Sequence, residues 1–101
     1  MSTEEIRLVY ELAEDMAKTF AKGGEQLEQT AQEMQNIAGT LEGGALLGRG
    51  GTAFVEALRS QLTPSLQRLG EKFQELDGDV KVAIQAMQTQ DARAARGFKQ
   101  G

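Results

Sequence analysis

A chain of 101 residues with 40% hydrophobic and 26% charged side chains is long enough for one folded domain and too apolar for a disordered one. Its net charge of −4 repels a phosphate backbone and an anionic membrane surface, and the absence of Cys and His removes disulfides, the usual zinc sites, Ser-His-Asp catalysis and cysteine nucleophiles. One Pro, no Trp and 5% aromatics leave long stretches without a helix breaker around a thin core, the composition of an all-α protein.

The opening "MSTEEIRLVY" is acidic and polar where a signal peptide has a basic start and an apolar run. No stretch approaches the ~20 apolar residues of a membrane span, so stable membrane insertion is not expected. Ser2-Thr3-Glu4-Glu5 reads as a capping box, with Ser2 as N-cap, and predicts a helix over about residues 3–42. A seven-residue beat then runs through Ile6, Ala13, Phe20, Leu27, Met34 and Leu41. A second column holds Val9, Met16, Gly23, Thr30 and Ile37, and together they form an a/d seam. Beside them lies a third column of Tyr10, Ala17, Gly24, Ala31 and Ala38, whose small members let a neighbouring helix come close. Each Gly of Gly23-Gly24 costs about 1 kcal/mol relative to Ala. Phe20 and Leu27 straddle the pair in register, which predicts one continuous helix with a weak point.

The next segment, "GGALLGRGGTAF" at residues 43–54, breaks the pattern. Its glycines are expected to end the first helix and to turn the chain over about residues 43–51, with Leu46 and Leu47 pinning the turn onto the bundle end and Thr52 capping the second helix. That helix, about residues 52–96, carries Val55, Leu62, Leu69, Leu76 and Ala83 in one column and Leu66, Phe73, Val80, Met87 and Ala94 in another. Leu58 and Ile84 widen the stripe. Pro64 removes a hydrogen bond to Ser60, and the continuing beat predicts a kink there rather than a break. Gly97 is the expected stop, ahead of a tail over residues 97–101, and Arg93, Arg96 and Lys99 complement the negative end of the helix dipole. Residues 1–42 hold 9 acids and 3 bases (−6), whereas residues 43–101 hold 6 acids and 8 bases (+2). Opposite signs favour the two helices lying side by side in an antiparallel helix-turn-helix hairpin.

Other patterns are weaker. Gly43 to Gly50 approaches a P-loop but lacks its Lys, its Ser/Thr and a preceding strand. Glu71, Glu75, Asp77 and Asp79 lack calcium-loop spacing and read as a solvated helix face. Met16, Met34 and Met87 read as ordinary core. No catalytic, cofactor-binding or metal-binding residue is assigned. Tyr10 suits a shield for the hairpin's open end, and Phe98, in a basic tail, is either an export or docking element or a residue folded back on the bundle.

Two helices alone have no third layer, and a broad apolar stripe stays wet. The expected solution is a dimer forming a four-helix bundle, with Ile6, Val9, Met16, Phe20, Leu27, Met34, Ile37, Leu62, Leu66, Leu69, Phe73, Leu76 and Val80 as its seam. Self-pairing is preferred because each hairpin carries an acidic and a basic half; a related hairpin is the other candidate partner. The rival architecture is a monomeric bundle of four short helices broken at Gly23-Gly24 and Thr63-Pro64.

Two heptad helices around a central turn, in a chain of this length, resemble the WXG (ESAT-like) family of small type VII (ESX) secretion substrates. That family's turn carries Trp-x-Gly, followed by a small residue and an aromatic that open the second helix. Here Leu46-Leu47-Gly48 occupies the motif, with Leu46 in the position of the signature Trp, and Ala53-Phe54 follows at the expected distance. The resemblance implies a non-enzymatic bacterial protein, made in the cytoplasm and secreted folded, without a signal peptide, by a membrane ATPase of the FtsK/SpoIIIE type. A Tyr-x-x-x-Asp/Glu export tail, common in the family, has no match after residue 87. The alternative is a cytoplasmic helical adaptor that holds a partner protein through the same seam.

Overall fold

A computed structural model describes residues 2–44 and 48–100, with side chains as far as residue 94. Leu46 and Leu47 lie outside the described residues, as does the side chain of Phe98. The first helix, α1, spans Thr3–Glu42 and starts on Ser2, whose hydroxyl accepts the Glu5 backbone N–H at 3.1 Å. It passes Gly23-Gly24 without interruption. After the turn come α2 (Arg49–Ala57), a π-helical turn (Leu58–Leu62) and α3 (Thr63–Gln100). The described residues form two long antiparallel rods, 79 × 19 × 15 Å overall, and the four-segment monomer is not the fold.

Three details of the second rod depart from the sequence reading. Helix starts at Arg49, not near residue 52, because extended Gly48 serves as N-cap; Gly50 and Gly51 fall in the first helical turn. Thr52 is therefore not the cap, and its hydroxyl donates to the Gly48 carbonyl at 3.3 Å. At the far end, α3 continues to Gln100 past the expected stop at Gly97, since one Gly weakens a helix without ending it.

The third departure is at Pro64. Proline has no N–H and its ring crowds the carbonyl four residues back, so an α-helical turn is disfavoured there. The chain widens its preceding turn instead, and the Thr63 N–H reaches the Leu58 carbonyl. One extra residue is thereby inserted, and the register does not continue through Pro64. Val55 is buried, but Leu62 and Leu69, seven and fourteen residues on, are exposed, while Thr63 and Gly70 are buried.

Burial identifies the hairpin's own contact line. On α1 it is the small column Ala17, Gly24, Ala31 and Ala38; on the second rod it is Thr63, Gly70, Asp77 and Ile84. A Cβ added to Gly24 would come within 3.2 Å of the Gly70 carbonyl oxygen, and one added to Gly70 within 3.4 Å of the Gly24 carbonyl oxygen. The glycine pair is thus the place where the two backbones nearly touch. At the turn end Ala38, Val55 and Leu58 are buried together, flanked by Met34 and Leu41.

Candidate functional site

The contact line divides the hairpin into two unlike faces. On one side the contact line is flanked by a half-buried column, Ile6, Phe20, Leu27 and Met34 on α1 and Leu66, Phe73 and Val80 on α3. The Phe20 and Phe73 rings pack edge to face there, 5.8 Å apart at 81°. Outward from that ridge, α1 exposes Val9, Met16 and Ile37, and the second rod exposes Phe54, Leu62 and Leu69. Leu76 is half-buried in the same row. Such residues placed singly on a surface need no explanation; an apolar strip along a whole rod marks an interaction face.

All thirteen residues assigned to the bundle seam lie on this side, and none is fully buried within the single chain. The structure also brings Phe54 into the strip, about half exposed at 52%. Ala53 and Gly48 of the turn motif are exposed at its end. Phe98 falls in the α3 backbone, beyond the described side chains.

The opposite side is mainly polar, with Leu8 and Val82 exposed away from the strip. Gln74 donates to the Ala21 carbonyl at 3.5 Å, and Arg59 pairs with Glu42 near the turn. Glu14, Lys18 and Lys81 line a shallow groove with Asp77. The solvated-face reading fails for Asp77, which is 8% exposed, while Glu71, Glu75 and Asp79 of the same cluster are exposed. Lys81 holds one Asp77 oxygen at 3.2 Å, and Oδ1 has no partner. Asp77 shares the seven-residue spacing of Thr63, Gly70 and Ile84, a column too polar to register as a hydrophobic beat. A buried carboxylate with an empty oxygen is costly, whereas its pair with the exposed Lys81 is worth little. Asp77→Ala is therefore expected to stabilise the hairpin by about 1–2 kcal/mol. Urea unfolding checks this, and a lowered midpoint would show that the Lys81 pair outweighs the burial.

At the open end Tyr10 donates to the Asp91 carboxylate, joining the start of α1 to the last part of α3. This hydrogen bond, followed by desolvation and the negative charge of Asp91, raises the Tyr10 pKa from 10.0 to about 12. The folded value lies above the unfolded one, so the stabilisation is complete below pH about 10 and disappears as pH rises through about 12. Tyr10 is the single tyrosine and there is no Trp, so tyrosinate absorbance near 295 nm reports it directly. The midpoint is expected near 12, and in Asp91→Asn near 10.

Among the described residues no three carboxylates converge to hold a metal ion, and no helix is long and apolar enough to cross a membrane. Comparison with curated proteins and with solved structures gave no match. A family model described as proteins of 100 residues with WXG matches residues 5–92, from the first turn of α1 to just past the Tyr10–Asp91 contact. That family comprises small, non-enzymatic helical proteins secreted by type VII systems. With an antiparallel hairpin of matching length and one open apolar face, the chain belongs to the WXG100 family.

Proposed function

We propose that this protein is a dimeric substrate or carrier of a type VII (ESX) secretion system, exported folded and without catalysis of its own. The observation that carries the reading is the one-sided apolar strip running from Val9 to Ile37 on α1 and from Phe54 to Leu69 on the second rod. Among the described residues no further element covers it. A second hairpin laid on the strip makes a four-helix bundle with ordinary coiled-coil geometry and leaves the polar faces in water. The partner is a second copy, because the −6 and +2 halves let one copy set its basic rod against the acidic rod of the other.

Export needs a feature that the ATPase can read on the folded pair. The end of α3 carries Arg93, Arg96, Phe98 and Lys99 beyond the Tyr10–Asp91 contact, which makes it the docking element for an ATPase of the FtsK/SpoIIIE type. Fractionating cells and medium from strains with and without that ATPase tests the assignment. The protein is expected in the medium of the intact strain alone. Retention inside cells in both strains would sink the export reading and leave a cytoplasmic adaptor that uses the same face.

A further inference from the structure

The π-helical turn before Pro64 is the one irregularity in the described helices, and α1 runs alongside it without a matching one. Its effect on register is specific. In an unbroken heptad rod, Val55 stands in line with Leu62 and Leu69, and Phe54 is rotated off that line by about 100°. With one residue inserted between them, Val55 lines up with Thr63 and Gly70 and is buried against α1. Phe54 then lines up with Leu62, Leu69 and Leu76 on the open face. Single-turn π insertions inside α-helices are frequent at functional sites.

We infer that the π turn at Leu58–Leu62, held in place by Pro64, is a register shifter that delivers Phe54 of the turn motif onto the apolar face as an anchor for a second copy of this chain. The inference rests on the self-pairing proposed above and names the residue and the backbone device that set where the partner seats. Phe54 is the one aromatic among the exposed large hydrophobic residues described. Aromatic side chains dominate interface energetics, and this one is continuous with the leucine row it extends. The opposite charges of the two halves, 9 acids against 3 bases and then 6 against 8, select a copy of the same chain as the occupant.

The test is the dimer dissociation constant of the full chain by sedimentation equilibrium. Phe54→Ala is expected to weaken self-association by about tenfold or more, with the far-ultraviolet helix signal unchanged because Phe54 lies outside the buried turn-end cluster. Deleting the exposed Gln61 together with Pro64→Ala restores a regular rod and is expected to weaken association to a similar extent. Adding Phe54→Ala to that variant is then expected to cost less than about twofold more, since the anchor is already off the face. Because the deletion can compromise folding, a photo-crosslinker placed at position 54 gives a second readout. It is expected to capture another copy, whereas the same group at Glu56 captures none. A wild-type dimer with undiminished association of Phe54→Ala, or no crosslink from position 54, overturns the inference and leaves self-pairing intact. A folded deletion variant that associates like wild type overturns the role of the π turn. A wild-type chain that does not self-associate removes both readings together.

Discussion

Leu69→Glu is expected to turn a dimer at micromolar concentration into a monomer while leaving the hairpin folded. In the single chain Leu69 is 46% exposed, so a carboxylate there stays hydrated and the contact line through Gly70 is untouched. In the paired state the same group sits in the middle of the apolar strip, between Leu62 and Leu76, where no base stands in its own row. A buried charge without a partner costs about 3–5 kcal/mol, or about a hundredfold to several thousandfold in association. Two-fold pairing doubles the number of such charges. Val82→Glu is the control. Val82 is more exposed, at 64%, but lies away from the strip, and association is expected to stay within about twofold of wild type. Light scattering over a concentration series reads both. Equal losses from the two substitutions would mean that the effect is general acidity and not the face.

The second large effect is on the hairpin itself, and it separates two glycines of the same helix. A Cβ at Gly24 meets Gln74 Nε2 at 2.5 Å and the Gly70 carbonyl oxygen at 3.2 Å. The glutamine end can swing aside, but the backbone oxygen cannot move without the rods parting. Gly24→Val adds two further carbons at this point and is expected to destabilise by about 2–3 kcal/mol, as overpacking does elsewhere. Gly39 has nothing within 4 Å of a built Cβ, so Gly39→Ala is expected to stabilise by about 0.5–1 kcal/mol through helix propensity alone. Thermal or urea unfolding of the pair should show opposite signs. Stabilisation by both would mean that the glycine crossing is not a close contact.

These two experiments also mark what the sequence disclosed and what it hid. The two rods, the cap at Ser2 and the reversal at the central glycines follow from local rules, because long helices with a seven-residue beat are dictated by composition and spacing. The columns Ile6–Phe20–Leu27 and Leu66–Phe73–Val80 stand out for the same reason. The small column of α1 was legible as a line of close approach, but the line it meets on the second rod was not. A rod of two helices closes where backbones can approach, so Ala17, Gly24 and Ala31 take the centre and larger side chains are pushed to one side. Opposite them stand Thr63, Gly70 and Asp77, which a search for apolar periodicity passes over. The register slip at Pro64 was hidden too, because an α-turn and a π-turn differ by one residue and the leucines continue at Leu62, Leu69 and Leu76 either way. What changes is only whether Val55 or Phe54 precedes them.

On the proposed reading, one face of this hairpin is covered by another copy. Sedimentation equilibrium of the intact chain at micromolar concentration is expected to give a species of twice the 10.9 kDa chain mass. A single 10.9 kDa species across that range, fully helical and cooperatively unfolding, would contradict it.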